Sequence, residues 1–596
     1  MSIYEKRVTK YEKLVSHLEK RLHSVGNWRL LTAVSGIIIS AGADRFGLYY
    51  LFWSSILIFT SLFIYLVIEY NKLKKVLEYG KSMLKINGDS AKRLNGTWVE
   101  FEDVGEELKN ENHDYSSDLD IFGRGSLFQW INTTNTYLGR AKLKDFLTKS
   151  CYSEKLLYDR QTAIIELAKK RWWRQRFQAE GFEIANEIRE DERLIKWFET
   201  KNNFYARKDI VILIRLSPFV TISTFLLGYG FSVIPRFIPI LALIIQIVML
   251  LVGVKQRNID LNTVYTYQRN IRVYKNMLKR FEKVNFKSLY INNLMEIIKS
   301  KDGLSAYKQL AELEKIVDSI SNRGNLMFLP INIFLLWDYQ CMVSLEKWKR
   351  NSGHLVNNWL TALGEMEALS SLAIISFDYP EWTMPVFTKE SSVVRSKGIG
   401  HPLLTNKQVY NDLIIEKPKN ILLITGSNMS GKSTLLRTIG INLVLAYAGA
   451  PVCAKEFQCS FMRIITCMRV SDNLEKSISS FYAELLRIKE ILRATEESQQ
   501  VFFLLDEIFK GTNSHDRHLG AKILIAKLYK QNAVGLVSTH DLELGELEQS
   551  TNGNIVNYHF QEHYKEGKIY FDYKLRKGIS TTRNALYLMK MIGLED

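Results

Sequence analysis

Residues 421–434 read Ile-Leu-Leu-Ile-Thr-Gly-Ser-Asn-Met-Ser-Gly-Lys-Ser-Thr, and this order leaves the backbone little freedom. The apolar run is a buried strand. Gly426 and Gly431 then allow a tight loop, and Leu435, Leu436, Ile439 and Leu443 follow at helical spacing. The spacing G-x-x-x-x-G-K-S gives each position a physical task. Backbone N–H groups across Gly426, Ser427, Asn428, Met429, Ser430, Gly431 and on to Thr434 can turn inward around phosphates. Lys432 reaches the outer phosphates, Ser433 offers a hydroxyl to Mg²⁺, and the helix N-terminus faces the same anion. The segment therefore predicts binding of ATP or GTP with Mg²⁺, and leaves open what the energy is used for.

Two further strands carry matching chemistry. Val501–Leu505 is a short apolar run ending in Asp506 and Glu507. An acid at such a strand end holds Mg²⁺ through its water shell, and the next carboxylate orients the attacking water. Val534–Ser538 ends in Thr539, His540 and Asp541, which places His540 to sense the terminal phosphate. The expected catalytic set is Lys432, Glu507 and His540, and the expected metal set is Ser433 and Asp506.

At 596 residues the chain needs several structural units. Apolar stretches at Leu30–Ala43 and Leu48–Ile68 are separated by four residues, and a second pair, Leu216–Ile234 and Phe237–Val254, is broken by Pro235 and Arg236. Such pairs are membrane hairpins or hairpins buried in a protein core. Trp28, Tyr49, Tyr50, Trp53 and Tyr70 crowd the ends of the first pair, as an interfacial belt does. Lys and Arg flank both pairs on the outer sides, which predicts a multi-pass protein of the inner, cytoplasmic membrane with both termini in the cytoplasm. The net charge of +17 has two sources open to it: those basic flanks, or a nucleic-acid-binding surface. Five scattered cysteines with no C-x-x-C pair fit a reducing compartment.

These patterns divide the chain into a basic N-terminal helix (1–27), a first membrane hairpin (28–70), a mostly helical region (71–208) and a second hairpin (209–254). A lever-like helical region (255–377), a linker broken by Pro380 and Pro385 (378–398) and an α/β domain with helices on a mixed sheet (399–596) follow.

The motifs, taken in order, resemble those of the MutS mismatch-repair ATPases. Residues 424–434 are similar to that family's phosphate loop, Leu504–Asn513 to its Asp-Glu-Ile-Gly-Arg-Gly-Thr segment, and Ser538–Leu544 to its Ala-Thr-His-x-x-Glu-Leu. Ser479, Ser480, Phe481 and Glu484 match the family's signature helix, whose serine reaches the nucleotide bound by the opposite subunit. Tyr573–Gly593 ends in a stretch similar to the helix that closes the domain. Upstream, Thr134, Thr136, Gly139 and Leu143 resemble the start of the core helical domain, and Glu367–Ala373 with Gly400-His401-Pro402 resembles the lever-to-ATPase junction. The resemblance implies an α/β P-loop ATPase domain of the ABC/MutS type after a helical core and lever. It also implies ATP and Mg²⁺ as cofactors, composite sites in a homodimer, with Ser479 completing the partner's site, and DNA as partner. The N-terminus carries membrane segments where that family reads mismatches with a Phe and a Glu, and the adenine platform falls near Gln408, Val409 and Tyr410. Two functions follow: a membrane-anchored MutS-like ATPase acting on DNA, or an ATP-driven transport or remodelling machine that binds no DNA.

Overall fold

The computed structural model describes residues 2–185, 192–299, 303–321, 323, 328–404, 408–469, 480–497, 500–565 and 568–580. The chain forms two units, residues 1–98 with 172–187, and residues 99–171 with 188–596.

The first unit is built on two long helices, α1 (Ile3–Arg45) and α2 (Tyr49–Asn95), joined by a short turn. Ser2 and Glu5 close a reciprocal capping box at the start of α1, and Gly96 in the left-handed region ends α2. Val15, Leu18, Leu73 and Leu77 form a small core between the helices. Nearby, the Arg7 guanidinium donates to Gln175 and lies over the Trp172 ring, while Gln175 donates to Asn87 at 3.1 Å. The apolar portions have no such cover: Ile37 is 71% exposed and Leu57 70%. Each helix runs without a break through the composition change expected at 27/28 or 70/71, α1 to Arg45 and α2 to Asn95.

Among the described residues, α2 is long and apolar enough to cross a membrane, and α1 falls short by the same measure. Two stretches of the second unit also qualify, and a bent pair at 237–266 does so if taken as one span.

In the second unit, α3 (Tyr137–Thr148) and α4 (Glu154–Lys169) pack on a long helix that is described below as α8. The second apolar pair is α5 (Lys208–Phe225), ending in a π-turn at Leu226–Gly230, and α6 (Phe237–Leu251). The expected second arm to Val254 stops at Leu251, because Gly253 takes a left-handed conformation and the next helix departs at 65°. The helix α7 (Trp337–Trp348) passes through a π-turn into α8 (His354–Asp378). This 42-residue stretch is one of the apolar candidates, yet 72% of its apolar window is inside the protein, which makes it a core helix. Glu367 of α8 accepts from the Asn135 N–H at 2.8 Å and from the Thr136 hydroxyl, the N-cap of α3. Polar side chains fasten α7 to the apolar pair. The Tyr339 hydroxyl lies 2.8 and 2.9 Å from the Met249 and Val252 carbonyls, Gln340 donates to Ile214 O at 2.9 Å, and Arg257 donates to the Val252 and Leu250 carbonyls.

Residues 378–398 are not a linker. They supply β1 (Val386–Phe387) and β2 (Val394–Ile399), which join β3 (Asn411–Ile415) and β5 (Glu456–Cys459) in a four-stranded sheet ordered β1-β5-β2-β3. The larger sheet contains β4 (Ile421–Thr425), β6 (Arg463–Cys467), β7 (Val501–Asp506), β8 (Val534–Thr539), β9 (Ile555–Lys565) and β10 (Lys568–Lys577), in the order β10-β9-β4-β8-β7-β6. Only the β10–β9 pairing is antiparallel. β4 is buried along its whole length, as a strand covered on both faces must be. The helices α9 (Lys432–Ala448), α10 (Ser480–Glu496) and α11 (Ser514–Lys530) belong to this α/β part. Of the expected closing stretch, 568–577 is a strand and 581–596 lies outside the described residues.

Candidate functional site

Register decides where the chemistry gathers. Parallel pairing sets Thr425 beside Thr539 and Asp506 beside Ser538, so the carboxyl ends of β4, β7 and β8 open at one edge of the sheet. In sheets of this kind the crevice beyond the carboxyl ends is where ligands bind.

The loop leaving β4 turns through three residues at positive φ: Gly426 (148°), Met429 (67°) and Gly431 (106°). Gly431 is required twice over, because its φ disfavours any side chain and an added Cβ would sit 3.1 Å from the Tyr573 ring. The Lys432 side chain, 4% exposed, folds back to donate to the Gly426 and Ser427 carbonyls at 3.0 and 2.9 Å. Burial pulls its ammonium below the usual lysine range, opposed by Glu507 and Asp506.

Asp506 accepts a hydrogen bond from the Ser538 hydroxyl. Glu507, at a φ of 50°, donates its N–H to Ser538 O at 3.0 Å. Its carboxylate lies 2.8 Å from His540 Nε2, 3.0 Å from Lys510 Nζ and 3.9 Å from Lys432 Nζ. Burial raises the Glu507 carboxyl, but Lys510, His540 and Lys432 outweigh it and leave it below the usual range. His540 Nε2 is also 2.8 Å from Asn428 Oδ1, so that nitrogen must carry the ring proton. Lys432, Asn428, Glu507 and His540 thus form one connected cluster, with Asp506 beside it. Ser479 lies outside the described residues.

A cavity of about 380 Å³ opens beside the cluster. Asn428, Met429, Ser430, Gly431, Lys432, Ser433, Thr434 and Glu507 line one part. Another part is lined by His401, Leu404, Gln408, Val409 and Tyr573. Burial, with Arg437 nearby, pushes the His401 imidazole down to about 4, so it is neutral at pH 7. Gln408 and Val409 reach the cavity as expected, whereas Tyr410 stands behind and donates to Gln408 Oε1. Tyr573 had no sequence signal. It belongs to the C-terminal strand β10, at a φ of 54° where the β9–β10 register shifts, and this bulge turns its ring toward Gly431.

The residues present fit a nucleoside triphosphate with Mg²⁺. The Ser427 and Ser430 hydroxyls are buried and have no partner among the described residues, next to an ammonium that donates to two carbonyls of its own loop and lies 3.4 Å from His540 Nε2. Ser433 and Asp506 are oxygen donors of the kind Mg²⁺ takes.

A second feature escaped the sequence reading. The polar loop at 109–120 is docked on the α/β part. Asp118 accepts from the Thr466 hydroxyl (2.7 Å) and from the Met468 and Arg469 N–H groups (3.0 and 2.9 Å). Asp114 pairs with Arg463 at 2.8 Å, and Asp120 pairs with Arg469 at 2.6 Å and with Arg437 of α9 at 3.4 Å. Between them Leu119 is fully buried against Gly440, where an added Cβ would lie 2.6 Å from a Leu119 methyl.

Comparison with known proteins agrees with this picture. Residues 422–596 match the family model MutS domain V. The chain is 29% identical over 267 residues to a protein of Oceanobacillus iheyensis named DNA mismatch repair protein MutS, covering 44% of this chain and 30% of that one. Proteins of the same name from Lysinibacillus sphaericus (32% over 243 residues; 39% and 28%) and Staphylococcus aureus (27% over 355 residues; 58% and 38%) are also similar. The match spans roughly a third of the relatives' own length.

Proposed function

We propose that this chain, which belongs to the MutS family through its C-terminal domain, is a membrane-anchored ATPase that works as a homodimer and acts on DNA. The carrying observation is the convergence of Lys432, Asp506, Glu507 and His540 at the carboxyl ends of β4, β7 and β8. ATP with Mg²⁺ would supply a polarised terminal phosphate within a P-loop fold. Lys432 would exchange the Gly426 and Ser427 carbonyls for phosphate oxygens, and Ser433 and Asp506 would hold the metal. Glu507 would orient the attacking water, released from Lys510 for that purpose, while His540 bridges it to Asn428. Tyr573 and Gln408 border the space left for the base.

The exposed apolar stretches of α2 and of α5 with its π-turn support anchoring. The named function of the relatives and the charge of +17 support DNA as partner, held through phosphates without base readout. The proposed DNA role is mismatch-repair-like or is structure or damage sensing, without the usual mismatch-reading domain. A second reading, an ATP-driven membrane machine without DNA, is favoured by the bonds of Tyr339 and Gln340 to the apolar pair. The test is ATP turnover by the detergent-extracted chain, with and without duplex DNA, at two salt concentrations. We expect Mg²⁺-dependent turnover that Lys432→Ala abolishes through lost nucleotide binding, and DNA retention that weakens with salt. Turnover that ignores DNA, with no salt-sensitive retention, selects the second reading, and unchanged binding by Lys432→Ala refutes the site.

A further inference from the structure

We propose that Glu484 is a positioning residue for Glu507: from α10 it fixes the backbone of the loop after β7, and so the direction in which the Glu507 carboxylate points. The inference rests on the ATPase reading of the site.

Two residues of that loop, Glu507 at a φ of 50° and Phe509 at 63°, occupy the left-handed region without being glycine. Each such residue is strained and persists only where its surroundings hold it. One restraint is at the start of the loop, where the Glu507 N–H donates to Ser538 O at 3.0 Å. The other comes from α10. The Glu484 carboxylate, 7% exposed, accepts the Phe509 N–H. One turn earlier, Phe481 packs against the Phe509 ring at 6.4 Å between centroids and closes over Gly511, where an added Cβ would lie 2.8 Å from Phe481 Cβ. Glu507 carries the first restraint and lies two residues before the second.

The clamp is only as firm as the helix that carries it, and α10 is anchored independently of the loop. Arg487, one turn beyond Glu484, donates to Thr466 O at 2.9 Å, to His113 O at 2.8 Å and to Asp114 O. These acceptors belong to β6 and to the docked loop at 109–120. Burial raises the Glu484 carboxyl above its usual range, and the Phe509 N–H and Lys510 partly oppose it. Glu484 is absent from the wall of the cavity, so it acts through the loop and not on the nucleotide.

The test uses the full chain in detergent with Glu484→Ala and Glu484→Gln, reading steady-state ATP turnover alongside nucleotide affinity. In Glu484→Ala, kcat falls about ten- to a hundredfold, with KM and affinity within about twofold of the parent. Glu484→Gln keeps an acceptor oxygen for the Phe509 N–H and recovers most of the loss. Parental kcat in Glu484→Ala overturns the proposal. So does equal loss in both variants, or a matching loss of nucleotide affinity, since a role in folding alone predicts those. If the parent itself shows no turnover, the ATPase reading fails separately. The Phe509 amide then decides the clamp by hydrogen exchange: faster exchange in Glu484→Ala supports it, and unchanged exchange refutes it.

Discussion

Asp118→Ala removes a carboxylate that three donors share. Its Oδ2 accepts the Thr466 hydroxyl and the Met468 N–H, its Oδ1 accepts the Arg469 N–H, and the residue is 7% exposed, so water does not readily replace it. The Thr466 hydroxyl has an alternative acceptor in Asp114 O at 3.2 Å. Two backbone N–H groups are therefore left without a partner, each at a cost of about 1–3 kcal/mol. The docked loop stays in place through Leu119 and the Asp114–Arg463 pair, so the penalty falls on the end of β6, at about 2–6 kcal/mol of local opening. At about 1.4 kcal/mol per decade this is roughly thirtyfold to ten-thousandfold faster amide exchange. Hydrogen exchange with mass spectrometry on peptides covering 463–469 reads it directly. Asp118→Asn, which keeps one acceptor oxygen, falls between the parent and the alanine variant. Unchanged protection at 466–469 in Asp118→Ala would refute the reasoning, because the loop would then not be carrying those bonds.

Glu507→Gln should keep ATP binding, lower turnover by about a hundredfold or more and accumulate an ATP-trapped dimer, seen as a larger species by light scattering; parental turnover would remove Glu507 from the hydrolytic role. His401 gives a pH signature. Its folded value of about 4 lies below the unfolded 6.5, so the unfolded chain takes a proton near 6.5 that the folded chain refuses until about 4. Stability therefore drops as pH falls through that window, by at most about 1.4 kcal/mol per pH unit, and is unaffected by this group above it. Thermal unfolding of His401→Asn should show a shallower loss between pH 6.5 and 4, and an identical slope would contradict the burial of that ring.

What was legible in the sequence was local. β4, β7 and β8 are short apolar runs that announce themselves, and Asp506 closes β7, Glu507 and His540 directly follow β7 and β8, and Lys432 follows β4 after the loop. What escaped depends on pairing between distant segments. Tyr573 reaches the cavity only because β10 pairs with β9 through a bulge, and nothing in Phe-Asp-Tyr-Lys signals that. The docking of the loop at 109–120 depends on Arg463 opposite Asp114 and on Arg469 and Arg437 opposite Asp120, residues more than 300 positions away in the chain. The prolines at 380 and 385 suggested a linker, and they precede strands of two and six residues whose partners lie downstream. Basic and apolar stretches differ in composition but not in helical period, so α1 and α2 run unbroken through both.

The way α7 holds the second apolar pair bears on how this protein can be handled at the bench. Carbonyls at one end of α6 have no further helical turn to receive them, and Tyr339 and Arg257 stand in for it, while Gln340 reaches into α5. Cutting out residues 208–254 to obtain a water-soluble fragment would strand a tyrosine hydroxyl, an amide and a guanidinium that is 1% exposed. A trimmed version therefore needs companion replacements at Arg257, Tyr339 and Gln340, with small or apolar side chains, before it can be expected to express as a folded product.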